Sequence, residues 1–363
     1  METAQAARPR SILVLRLGSM GDILHTHAAF ATLRAAFPAA TLGWVIEDRW
    51  RALLPSGVDA VHAVDTKAWR SAPFSDETWE EILDAIRGLR KVSYEMAIDF
   101  QGAIRSSLIA RFSGAPRRVG FAQPREKAAA MFYTHLVRPV ARHVVEQNME
   151  LALAVAPGAP PQFRSSLSST RGAREWWSEQ MKRLGLRTQG YAVVNPGAGW
   201  GAKRWPPERY GAVAHFLGAN GLLSVVNFGP GEEELARSVT SASGGYAHAV
   251  LCSVEELVEV TRCSRILVGG DTGPVHLAAA LGKPVVAIFG PTDPERTGPF
   301  GIEAAVLRSA SSRTTFRHHS QPDEGLLDIS AEQVANAALR LLQRQPQRLH
   351  SASEASLHPE PRP

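Results

Sequence analysis

Short apolar runs of strand length alternate with longer stretches of helical period along this chain, and the alternation breaks off once and starts again. That pattern dictates parallel sheets made of βαβ units, because a parallel strand needs a crossover and both sheet faces need cover. In the first half, residues 12–17, 42–46, 96–100 and 119–121 read as strands. Residues 22–37 read as a helix, with Leu24, Ala28, Ala31 and Ala35 on one face and Pro38 as its stop; 76–89 and 103–112 read as two more. The interruption falls at 156–170, rich in Pro, Gly and Ser, and reads as a linker. After it, strands are expected at 191–195, 222–228, 266–269 and 285–289, and helices at 207–217, 231–239, 254–262 and 274–281. Ser253 with Glu256 and Ser330 with Gln333 have capping-box spacing, the second opening an amphipathic helix over 331–343. The expected fold is α/β, two doubly wound Rossmann-like domains facing across a cleft. Their expected bounds are 1–165 and 166–330, with a C-terminal helix at 331–344 and a polar, Pro-rich, disordered tail at 345–363.

A chain of 363 residues with 44% hydrophobic residues is long enough for two such domains and excludes a small disulfide-stapled module. Its cysteines, Cys252 and Cys263, suit neither a disulfide framework nor a four-ligand zinc site, which points to a reducing cytoplasm. The run at 12–15 is too short for a signal-peptide core and no window has the length of a membrane span. Most of the net charge of +5 lies between Gln101 and Arg142, where Arg105, Arg111, Arg117, Arg118, Arg125, Lys127, Arg138 and Arg142 face only Glu126. This stretch is either a set of solvated helix faces or a surface for polyanions. Few aromatics accompany it, so phosphate groups on a lipid or sugar suit it better than nucleic acid.

In doubly wound sheets ligands bind beyond the carboxyl ends of strands, which directs attention to the strand-to-helix loops. The first, Gly18-Ser19-Met20-Gly21-Asp22, allows close backbone approach and enters a helix; Asp22 is either a first-turn carboxylate or a general base at the cleft. Gly269-Gly270-Asp271-Thr272-Gly273-Pro274 offers helix N-terminal amides to a phosphate, while the Asp271 carboxylate would order the loop or bond sugar hydroxyls. His276, with no second ligand at suitable spacing, reads as a packed helix residue. In the Gly-rich loop from Asn195 to Pro206, Lys203 or Arg204 could neutralise a leaving diphosphate, the bland alternative being a solvated charge. Glu232, after Phe228-Gly229-Pro230-Gly231, could favour the helix dipole or grip ribose hydroxyls.

Taken together, Ser19-Met20-Gly21-Asp22-Ile23-Leu24-His25-Thr26, Trp44-Val45-Ile46-Glu47, Asp99-Phe100-Gln101-Gly102, Lys203-Arg204-Trp205-Pro206, Asp271-Thr272-Gly273 with His276, and Gly290-Pro291-Thr292-Asp293-Pro294 resemble, in order, the motifs of glycosyltransferase family 9. These are the ADP-heptose:lipopolysaccharide heptosyltransferases, and the likeness is greatest to those adding the first inner-core heptose. The resemblance implies a GT-B fold, an inverting mechanism without metal or other cofactor, ADP-L-glycero-D-manno-heptose as donor and Kdo-linked lipid A as acceptor. It makes Asp22 the catalytic base, Lys203 the donor-diphosphate lysine, Glu232 the ribose acid, Asp271, Thr272 and Gly273 the donor loop, and Cys252 an adenine neighbour. Ser19, Met20, Gly21, Arg125 and His143 fall on the acceptor side. The segment Thr66-Lys67-Ala68-Trp69-Arg70 carries fewer arginines than the family pattern, and Val144-Val145-Glu146-Gln147 lacks one. A cytoplasmic protein touching the anionic membrane face would follow. The alternatives are a related transferase with another acceptor or sugar, and a silent nucleotide- or anionic-lipid-binding module.

Overall fold

The computed structural model describes residues 8–163, 166–315 and 321–344; the tail expected after 344 lies outside the described residues. Strands β1 (Ser11–Leu15), β2 (Thr41–Glu47), β3 (Ala60–Val64), β4 (Met96–Asp99), β5 (Arg117–Phe121) and β6 (His135–Val137) form one sheet in the order β3-β2-β1-β4-β5-β6. Strands β7 (Tyr191–Asn195), β8 (Leu223–Phe228), β9 (Ala247–Leu251), β10 (Ile266–Gly270), β11 (Val285–Phe289) and β12 (Ala304–Arg308) form the other, in the order β12-β11-β10-β7-β8-β9. All these pairings are parallel. Numbered within its own half, each sheet runs 3-2-1-4-5-6, so the strand order reverses between β1 and β4 and again between β7 and β10.

The central strands β1, β4, β7, β10 and β11 are buried throughout, which is why they stand out in the sequence as continuous apolar runs. The helix Met20–Ala36 starts two residues before the predicted Asp22, because Ser19 in extended backbone serves as its N-cap. It is buried nearly all round, packed against its sheet, against the helix Val144–Leu153 and against the helix Gly273–Ala280 of the second half. The capping boxes at Ser253 and Ser330 form as the spacing predicts, with Ser253 N–H donating to Glu256 and Ser330 N–H to Gln333. The last helix, Ala331–Arg344, buries Val334, Ala335, Ala338 and Leu341 in the core of the second sheet. Leu167 pairs with Pro55 in an isolated bridge and sits in the first core, which pins the connecting segment there. That core also takes in Leu257, Val258 and Leu277 from the second half, so the two halves share apolar surface. Among the described residues no helix is long and apolar enough to cross a membrane.

Candidate active site

The four loops singled out in the sequence follow β1, β7, β8 and β10; those after β1, β7 and β10, with the Asp99 motif after β4, lie at the two points of strand-order reversal. Gln101 Oε1 accepts from Leu17 N–H at 3.2 Å, tying the β4 loop to the β1 loop. Asp99 organises that β4 loop, its buried carboxylate accepting from the Gln101 and Gly102 amides and from Ser106 and Tyr133. On the other side Asn195 Nδ2 donates to Thr272 Oγ1 at 3.2 Å, joining the β7 and β10 loops.

Asp22 is the third residue of its helix and accepts at Oδ2 from both N–H and Oγ of Ser19, each at 3.1 Å. Its Oδ1 lies 2.7 Å from the Arg16 guanidinium, and its side chain keeps 35% of its exposure against 9% for Arg16. Burial pushes the Asp22 carboxyl pKa up, but the Arg16 charge, the Ser19 N–H and His25 outweigh it and hold the group below its ordinary value. Arg16 also donates to Phe100 O, and its buried Nε has no partner among the described residues. Both sequence readings of Asp22 are therefore compatible with the geometry, since a first-turn carboxylate and a cleft-facing anion are here the same group.

Lys203 Nζ donates to Asp271 Oδ2 at 2.6 Å and lies 4.8 Å from the centre of the Trp200 ring. Arg204, the other candidate cation, turns to Ala198 O instead. Asp271, 6% exposed, accepts a second bond from Thr292 Oγ1 at 2.7 Å. Burial alone would raise its pKa; His276 and Lys203 drive it far below the carboxylate range. The carboxylate thus orders the loop, one of the two uses its position suggested. Thr272 is the N-cap of the helix Gly273–Ala280; Pro274 carries no N–H and Val275 N–H is taken by Thr272 O, so it is the Thr272 and Gly273 amides that suit an anion. Glu232 accepts from Gly229 N–H at 2.9 Å and lies against Gly197, where an added Cβ would come within 2.5 Å of its Oε1. Cys252 is bonded through its N–H to Phe228 O, next to Glu232's loop; burial pushes its thiol up to about 12, so it is unreactive there.

The two halves meet at this point. A Cβ on Gly21 would stand 2.7 Å from the His276 ring, and one on Gly273 would stand 2.3 Å from Met20 Sδ, so both positions demand glycine for close approach. His143 donates from Nε2 to Gly298 O at 3.1 Å and caps its own helix with Nδ1, which spends both ring nitrogens on structure. Arg125 is exposed on the β5 loop beside Gly102. Part of the basic stretch is spent as well: Arg118 holds Ala115 O and Phe132 O, Arg105 donates to Thr66, and Arg142 bridges to Asp293 and Glu295 of the second half. Arg16, His25 and Thr292 were assigned no role from the sequence. A single arginine directly after a buried apolar strand was the legible signal for the first; His25 and Thr292 lay in recognised motifs with nothing to mark their partners.

The sequence model of glycosyltransferase family 9 (heptosyltransferase) matches residues 82–326. The chain belongs to this family. It is accordingly a glycosyltransferase, and its paired doubly wound sheets are the GT-B architecture. It is 28% identical to lipopolysaccharide heptosyltransferase 1 of Escherichia coli K12 over 335 residues, 89% of this chain and 97% of that protein. To lipopolysaccharide heptosyltransferase 1 of Salmonella typhimurium it is 30% identical over 300 residues, 80% of this chain and 91% of that one. The solved structure of E. coli heptosyltransferase WaaC with ADP superposes with a TM-score of 0.75 at 26% identity, covering 92% of this family 9 chain and 99% of that one. A family 9 glycosyltransferase from Veillonella parvula shares the fold with a TM-score of 0.79 at 23% identity.

Proposed function

We propose that this family 9 enzyme transfers a heptose from ADP-L-glycero-D-manno-heptose to a Kdo-lipid A acceptor, with inversion and without a metal. The observation that carries the reading is the meeting of two strand-order reversals. One presents the Asp22 carboxylate and the other presents Lys203 with the Gly273 helix terminus, and the Met20 side chain and Gly21 are seated on Gly273 and His276. An acceptor hydroxyl on the first domain attacks the anomeric carbon from the face opposite the leaving ADP, and Asp22 takes its proton. The C–O bond to the diphosphate breaks as the new one forms, and Lys203 and the helix amides take up the charge that develops. Glu232 binds the ribose, Cys252 lies by the adenine, and Ser19, Met20, Gly21, Arg125 and His143 line the acceptor side. Similarity to heptosyltransferase 1 proteins and to a WaaC structure with ADP supports the choice of donor and acceptor. The domain division follows: 1–165 for the acceptor, 166–330 for the donor. Exposed Phe74, Met131 and Val140 on the basic first domain support contact with an anionic membrane face.

One observation favours a silent binding module instead, because Asp22 and Lys203 are both already ion-paired, with Arg16 and Asp271. Release of ADP from ADP-heptose, with Kdo-lipid A and EDTA present, separates the two. Acceptor-dependent turnover that falls about a hundredfold or more in Asp22→Ala, with ADP binding kept, is expected. ADP binding without turnover would mean that the acceptor is another one or that the chain is the silent module, and near-normal turnover in the variant would remove Asp22 from the chemistry.

A further inference from the structure

A string of buried polar side chains crosses between the halves and ends on Asp271 of the donor loop, and the proposed reaction assigns no role to its two histidines. His25 lies one turn beyond Asp22 in the same helix, and its Nε2 is 3.1 Å from His276 Nδ1. The two rings meet edge to face with centroids 4.4 Å apart. His276 Nε2 is in turn 3.4 Å from Asp271 Oδ1, the carboxylate whose other oxygen holds Lys203 and Thr292. His25, His276 and Asp271 are 7%, 6% and 6% exposed.

The proton order along the string follows from its carboxylate end. Asp271 can only accept, so His276 carries its hydrogen on Nε2 and offers the lone pair on Nδ1. His25 must then donate from Nε2 and keep a bare Nδ1. That buried nitrogen has no partner among the described residues, an orphan that a helix pair held by apolar packing alone would not create. Burial and His276 hold the His25 pKa well below its ordinary value, so the ring stays neutral and the order persists. Asp22, Arg16 and His143 are the other titratable or charged groups facing it. The His276 ring also lies against Gly21, the residue preceding Asp22.

We propose that His25 and His276 are positioning residues. Their hydrogen bond, oriented by Asp271, fixes how the helix bearing Asp22 seats on the loop whose carboxylate holds Lys203, and so sets the spacing between the base and the departing diphosphate. The inference rests on the roles proposed for Asp22 and Lys203. Small displacements of this kind cost as much as about a hundredfold in rate while leaving ligand affinity little changed.

The test compares His25→Leu, which fills the volume without a donor, His25→Gln, which keeps an N–H near the Nε2 position, and His276→Asn, which keeps an acceptor near Nδ1. Each is measured for kcat, for KM with donor and acceptor, and for ADP affinity. The interdomain distance distribution with ADP bound is read between probes on non-canonical residues at the exposed positions Lys91 and Glu179. The expected result is a kcat about 10- to 100-fold lower in His25→Leu, with ADP affinity within about twofold and a broadened distance distribution, and most of the kcat recovered in His25→Gln and His276→Asn. Full kcat in His25→Leu would overturn the proposal, and so would equal impairment of all three variants with unchanged distances. If His25→Leu does not fold, His25→Met, which also lacks a donor, takes its place: a kcat and a distance distribution equal to those of His25→Gln would overturn the proposal, and a lower kcat with a broadened distribution would support it. A parent without heptose transfer would defeat the functional reading alone, since the distance distribution of His25→Leu still tests the string by itself.

Discussion

A carboxylate with an ordinary pKa of about 3.9 is a weak base for a sugar hydroxyl, and Arg16 makes Asp22 weaker still. The arrangement suits a reaction in which the proton leaves late, once bond formation has made the attacking oxygen acidic, so that the residue must above all be ionised and in place. Arg16→Met removes the charge that opposes burial, which favours the neutral carboxyl. The acid limb of the kcat/KM profile should move up by a pH unit or more, on the order of what one adjacent opposite charge contributes, and an unmoved limb would show that Arg16 does not tune the base. Asp271 obeys the same physics in a tighter setting. Its folded pKa lies below the unfolded value, so its contribution is present above about pH 4 and is lost as the pH falls through the folded value. Asp271→Asn removes this component and leaves Lys203 half-enclosed without its partner, at a cost of up to about 3–5 kcal/mol. Denaturant unfolding across pH 2–4 should therefore be flatter in the variant than in the parent, measured on the order of 1.4 kcal/mol per pH unit for each proton.

Among the elements, the helix Met20–Ala36 carries the tightest constraint, because its first turn lies on a histidine ring. Gly21→Ala places a methyl 2.7 Å from His276 Cδ2, and neither ring nor backbone can withdraw without parting the halves. Overpacking of this kind costs about 1–3 kcal/mol. Calorimetric unfolding should register that loss, and turnover should fall more than ADP binding does. The reach of sequence reasoning follows burial in the same way. The central strands were legible because both of their faces are covered and their runs are apolar. Those that went unread, β3, β6, β9 and β12, are the outermost strands of the two sheets. Each has exposed or half-exposed positions, as in the His135, Leu136 and Val137 of β6, and so lacks a continuous apolar signature. The site divides similarly. Loops that end buried strands could be found from glycines and helix starts, whereas the partners that set their charges, Arg16 for Asp22 and Asp271 for Lys203, depend on distances across the fold that spacing does not encode.

At the scale of the molecule, an apolar and an ionic contact join the halves beside the His25–His276 and His143–Gly298 hydrogen bonds. The apolar one, with Leu257, Val258 and Leu277 in the first core, is continuous with the interior. The ionic one, Arg142 with Asp293 and Glu295, is open to water, Arg142 keeping 66% of its side-chain exposure. Exposed pairs contribute about 0–1 kcal/mol, so Arg142→Ala should leave the thermal midpoint within about 4 °C of the parent, and a larger fall would mean the bridge is an anchor. Each sheet, moreover, is drawn from one unbroken length of chain, residues 11–137 and then 191–308. During synthesis the ribosome therefore releases a complete first sheet well before the second exists. For that interval the Met20–Ala36 helix exposes the patch destined for its later partner, His25 and the glycine step included. That face stays uncovered for at least as long as elongation takes to supply the second half, which brings Leu257, Val258 and Leu277 to the first core.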